Sequence, residues 1–197
     1  MHKMIDKTVF KSMRIQLEKF DSMREDLIKT SRVILKLSKS AIYEIHRNKL
    51  TQANNLLQNA KKYIAKINQM IQKDPCLSNV GAYNEALEEF VEASCYYGFM
   101  KDKKLPTAKQ LGVNIHIYIP GLCDLVGELV RKSINSSIKD DFETALEIKD
   151  FVSDVYAELM MFDFRNTPAR RKFDSIKYGL EKLENLILDL KLKNRIK

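Results

Sequence analysis

The sequence predicts an all-α fold, and three features carry that expectation. Glycine and proline are scarce, with 6 and 4 copies in 197 residues. Leu, Ile, Lys and Glu dominate, the composition of long helices rather than of sandwiches or barrels. Apolar residues recur at steps of three and four along most of the chain, which draws one stripe down each helix. An apolar share of 45% suffices for one sizeable core. No Ser/Gly linker, repeat or low-complexity tract divides the elements, so residues 1–197 read as a single multi-helix domain.

The first element runs from Ile5 to about Arg47, with Phe10, Met13, Leu17, Phe20, Leu27, Val33, Ile34, Leu37, Ala41 and Ile45 on its stripe. Such a helix spans about 60 Å, longer than a chain of this size needs, so part of the stripe is expected to meet other subunits. A second helix, Leu50 to Gln72, carries Leu56, Leu57, Ala60, Ile64, Ile67 and Ile71 and stops at Lys73-Asp74-Pro75. The third runs from about Tyr83 to Lys101. Pro120 is read as opening a fourth, at the position where a missing N–H costs nothing, and that helix continues to about Ser136. A fifth covers Asp141 to Phe162 with Asp140 or Asp141 as its cap, and Thr167-Pro168 starts the last, which ends near Leu192.

Charge is unevenly spread. Residues 1–75 hold 16 Lys or Arg against 7 Asp or Glu, whereas the rest of the chain is nearly balanced, so the whole surplus behind the net +8 sits on the first helices. A concentrated basic face is the footprint of a polyanion, although a merely solvated face has the same composition. Cys76, Cys95 and Cys123 are odd in number and lack CxxC spacing, which argues against a disulfide framework or zinc site. They read as buried thiols in a reducing, cytoplasmic setting. No signal pattern or spanning helix is apparent.

Against this basic background stand two acidic pairs inside apolar runs. In EEFVEAS (88–94), Glu89 and Glu92 share a helix face, with Glu88 turned about 100° away. In GLCDLVGELV (121–130), Asp124 and Glu128 are four apart and share a face among Leu122, Leu125, Val126 and Leu129. Like charges on apolar helices call for a cation between them, and an all-oxygen donor set suits Mg²⁺ or Mn²⁺. A di-iron carboxylate site would need Glu-x-x-His, but Cys95 and Arg131 occupy the third positions beyond Glu92 and Glu128. His2, His46 and His116 lie far from both pairs in sequence and read as surface or capping residues. No nucleophile elbow, P-loop or dinucleotide fingerprint is present.

The acidic segment EEFVEAS, the stretch GLCDLVGELVRKSINS (121–136), the closing ARRKFDSIKYGLEKLENLILDLK (169–191) and the long REDLIKTSRVILKLSKSAIYEIHR (24–47) together resemble the translin superfamily. Asp124 makes the translin-associated factor X branch the nearer match. The resemblance implies a seven-helix-type subunit of a hollow, octamer-like shell, alone or with a second translin-like subunit, that binds single-stranded RNA or DNA and cuts RNA with Mg²⁺. It places the catalytic carboxylates on Glu89, Glu92 and Asp124, with Glu128 as a further metal ligand. Arg24, Arg32, Lys36, Lys39, Arg47, Arg131 and Lys132 are the phosphate-contact candidates. Tyr83, Tyr96 and Tyr97 are weighed as base-stacking residues against a role in the core. A non-catalytic strand-binding protein and a purely structural helical assembly are the competing readings.

Overall fold

A computed structural model describes residues 5–196. His2 therefore lies outside the described residues. Seven α-helices, one 3₁₀ turn and no strand occur among the described residues. They are α1 (Lys7–His46), α2 (Leu50–Lys73), α3 (Gly81–Asp102), α4 (Ala108–Leu111), α5 (Ile115–Ser137), α6 (Phe142–Met160) and α7 (Pro168–Leu192), with the 3₁₀ turn at Pro75–Asn79. The all-α expectation holds, and no described helix is long and apolar enough to cross a membrane.

Local chemistry sets most boundaries. Asp6, Asn114, Asp141 and Thr167 cap α1, α5, α6 and α7 through side chains that accept backbone N–H bonds. The short α4 carries a complete capping box between Thr107 and Gln110 and stops at Gly112, whose φ is 70°. The fourth predicted helix needs correction, because Asn114 starts it and Pro120 lies within it. The proline removes one intrahelical hydrogen bond there instead of opening the helix.

α1 and α2 form an antiparallel hairpin turned by Asn48, which adopts φ 58°. Small residues on the two helices, Ser31, Ser38, Ala41, Ala53 and Ala60, are all buried, which suits the close packing of α1 against α2 and α3. Burial on α1 begins only at Leu27. Before that, Val9, Phe10, Met13, Ile15 and Leu17 stay 45–61% exposed.

The central element is α3, which packs against α1, α2 and α5, and α5 in turn packs against α6 and α7. Buried Tyr83, Leu87, Phe90, Val91, Tyr96 and Phe99 clothe α3 on several faces, as a core helix requires. One glycine fixes the α3–α5 approach: a Cβ at Gly121 would stand 2.6 Å from the Glu88 carbonyl oxygen and 2.8 Å from Val91 Cβ. Gly121→Ala is expected to cost about 1–3 kcal/mol through overpacking. Gly127→Ala, where a Cβ meets nothing within 4 Å, should be neutral or slightly stabilising. Thermal unfolding of the two variants compares them directly.

Candidate functional site

The close α3–α5 contact brings the two acidic pairs together. Glu92 is 8% exposed, and burial, followed by the charges of Glu89, Asp124 and Glu128, pushes its carboxyl up to about 8. Glu89 is half-buried and raised for the same reasons, burial foremost, with Lys39 opposing from 3.9 Å. Glu89 and Glu92 on α3 thus feel the charges of Asp124 and Glu128 on α5, the two pairs that helical spacing marks in the sequence. They do not converge on one point: among the described residues no three His, Cys, Asp or Glu side chains form a metal-holding group.

Each outer carboxylate is instead held by a side chain of its own. Lys172 Nζ, from α7, donates to Asp124 Oδ2 at 2.5 Å and to Glu88 Oε2 at 2.7 Å. Burial alone would lower the Lys172 ammonium, but the two carboxylates outweigh it and hold the group above the usual lysine value. Glu88, expected to face away, is therefore tied to the site through this lysine. On the other side His46 Nε2 bonds Glu128 Oε2, and its Nδ1 lies 3.1 Å from the Tyr96 hydroxyl. An ionised Glu128 only accepts, so Nε2 carries the proton, while Nδ1 and the Tyr96 hydroxyl share the second hydrogen bond. The His46 bond is the main reason that the Glu128 carboxyl is lowered despite its partial burial.

His46 overturns the surface or capping reading. Its separation from Glu128 by 82 residues hid a contact that arises because α1 and α5 both pack on α3. His116 is exposed and away from the pairs, as expected. Cys95 and Cys123 are buried thiols raised mainly by burial, to about 12, whereas Cys76 is exposed, contrary to expectation.

The basic candidates divide into those at the site and those away from it. Arg32, Lys36 and Lys39 line a hollow of about 480 Å³ along α1. Lys39 and Tyr43 continue into a second hollow of about 320 Å³, whose wall includes His46, Glu89, Glu128 and Arg131. Arg131 also stands 3.8 Å from Glu128. Arg24 pairs with Glu25 on the exposed N-terminal part of α1, and Arg47 pairs with Glu44 and covers the Tyr43 ring, so neither lines these hollows. Lys132 does not belong with the phosphate contacts. It is 9% exposed and donates to Asn48 Oδ1 at 2.9 Å, because one helical step from Arg131 turns it inward.

Tyr83 and Tyr96 are core residues, and Tyr97 is half-buried. Tyr43 is the tyrosine that the sequence did not single out: 58% exposed, it borders both hollows. Its spacing of four and eleven residues from Lys39 and Arg32 marks the same helix face, a signal readable once that face is known to be free.

Comparison with known proteins gives concordant results. The Translin family description matches residues 22–194. An uncharacterized protein of Methanocaldococcus jannaschii is 29% identical over 90% of this chain and 82% of its own length. Translin-associated protein X of Mus musculus is 25% identical over 93% of this chain and 78% of its own. Among solved structures, apo-NeC3PO superposes with a TM-score of 0.84 at 26% identity, covering 91% of this chain and 95% of that one.

Proposed function

Because this chain belongs to the Translin family, we propose that it is a subunit of a single-strand-binding, shell-like homo-oligomer that hydrolyses RNA phosphodiesters with Mg²⁺ held by carboxylates. The observation that carries the reading is the run from the basic hollow on α1 into the hollow walled by Glu89 and Glu128 at the edge of the acidic cluster, with Lys39 and Tyr43 common to both. The donor set is in kind that of a hard divalent cation: four carboxylates on two packed helices, with Glu92 buried and in no ion pair among the described residues. To meet one ion, Asp124 and Glu128 would turn from Lys172 and His46. Glu89, Glu92, Asp124 and Glu128 would hold the ion, with Mn²⁺ as an alternative. Bound there, it would supply an activated water and neutralise charge on the phosphoryl oxygens.

The chain's own residues position the reactants. Arg32, Lys36 and Lys39 take phosphates without reading bases, while the face of the Tyr43 ring opposite Arg47 offers a stacking surface. His46 fixes the orientation of Glu128, and Tyr96 fixes that of His46. Lys172 does the same for Asp124. The test is incubation of a fluorophore-labelled, unstructured RNA with the protein and Mg²⁺, Mn²⁺ or EDTA. Cutting that requires the divalent ion supports the reading. RNA binding without cutting under any of these conditions leaves a strand-binding protein only.

Two further outcomes belong to this reading. Removing Lys36 and Lys39 together should weaken RNA binding and flatten its dependence on log salt by about 0.7 per lost phosphate contact, measured by fluorescence anisotropy. A change confined to affinity, with the slope intact, would count against phosphate contacts there. The exposed apolar residues of α1 before Leu27 are the proposed subunit contact. Met13→Glu/Leu17→Glu should shift the mass seen by light scattering to smaller species, and a wild-type monomer at micromolar concentration would exclude the shell.

A further inference from the structure

A separate cavity of about 780 Å³ lies where the starts of α3 and α5 meet the connection between α6 and α7. Its volume is within the range of about 300–1,000 Å³ usual for small-molecule sites. Asn84, Glu88, His116, Phe162, Phe164 and Arg165 stand in its wall. Glu88 makes it a neighbour of the acidic cluster, since Lys172 bonds both Glu88 and Asp124.

The distinctive feature of this cavity is a ladder of aromatic rings. Phe162 stacks on Phe164 at 5.7 Å and 12°, Phe164 meets Phe173 at 5.2 Å, and Phe173 stacks on Tyr156 at 5.5 Å and 12°. The inner end is anchored, because Phe173 is 7% exposed, yet the outermost ring, Phe162, is 51% exposed. A phenyl ring has no polar end to justify that exposure, and one held in a stack presents a flat face whose ordering cost is already met. The Asn84 amide can both donate to and accept from a base edge, and Arg165 can take a phosphodiester. Asp163 also reaches this wall and disfavours a ligand that is anionic throughout.

On these grounds, and resting on the strand-binding reading above, we propose that this cavity takes up one unpaired nucleobase of the bound strand. Its stacking on Phe162 would hold the chain beside Asp124.

The chain contains no tryptophan, so Phe162→Trp creates a single fluorescent reporter at the cavity. A short unstructured RNA, and separately AMP, would be titrated into the full chain in EDTA, with binding of labelled RNA followed in parallel by anisotropy. The tryptophan should be quenched with the same midpoint as the anisotropy change, and Phe162→Ala should weaken RNA binding at least about five-fold. Circular dichroism verifies that both variants fold. RNA binding with unchanged tryptophan emission, and with Phe162→Ala equal to wild type, overturns this proposal and leaves the proposed function standing. Emission that follows protein concentration rather than RNA would assign the ring to a neighbouring copy and also overturn it. Absence of any response to RNA by either probe removes both readings.

Discussion

Combining Asp124→Asn with Glu89→Gln is expected to reduce metal-dependent RNA cleavage by at least about 100-fold while leaving RNA binding within a few-fold of wild type. The figure follows from the 10–100-fold losses typical when only an outer partner of a metal ligand is removed. Here two proposed ligands go at once, one from α3 and one from α5, so neither helix retains its pair. Both substitutions keep the side-chain volume, and both remove like charge from a crowded site, so the fold should be retained. The basic hollow on α1 is untouched apart from losing the distant Lys39–Glu89 pair. Measuring cleavage rate and anisotropy on the same preparations separates chemistry from binding. Equal cleavage by wild type and variant would remove these carboxylates from the mechanism.

Glu92 gives the second large effect, on stability. Its folded-state value near 8 lies above the ordinary 4.5, so the chain binds a proton more tightly when folded than when unfolded. Stability from this group is fully present below pH 4.5, falls as pH rises through the window, and reaches its minimum above pH 8. The loss is on the order of several kcal/mol. For a chain of this size it corresponds to a fall in Tm of roughly 10 °C between pH 5 and pH 8.5 in EDTA. Glu92→Gln should flatten that profile and be the more stable protein at alkaline pH. Addition of Mn²⁺ at pH 8.5 should restore the wild type but not the variant. A wild-type Tm that rises across the same window would contradict the buried, mutually repelling cluster.

How much of this was readable in advance depends on the range of the interaction involved. The helices followed from local rules: Thr167 caps α7 as its place before Pro168 predicts, and of Asp140 and Asp141 it is Asp141 that caps α6. The acidic pairs followed from helical spacing alone. The residues that govern those pairs did not. His46 reaches Glu128 across 82 positions, and Lys172 reaches Asp124 across 48, and no periodicity encodes either distance. Lys132 shows the converse: adjacent to Arg131 in sequence, it points inward because the helix turns between them. Pro120 misled for a related reason, since the helix tolerates an internal proline once Asn114 supplies a start nearly two turns earlier.

The stripe on α1 follows a seven-residue repeat, with Met13, Phe20, Leu27, Ile34 and Ala41 on one line and Phe10, Leu17, Arg24, Ser31, Ser38 and Ile45 on the other. From Leu27 onward this seam is closed by the subunit's own helices, Phe20 is partly covered by them, and up to Leu17 the seam is open. The Met13–Ala41 line therefore serves the subunit interior at one end and the proposed external contact at the other, and it stays apolar throughout. A protein built this way has no sharp border between folding and association. Its melting temperature should climb with protein concentration by mass action, and dilution alone should act on it as a mild denaturant.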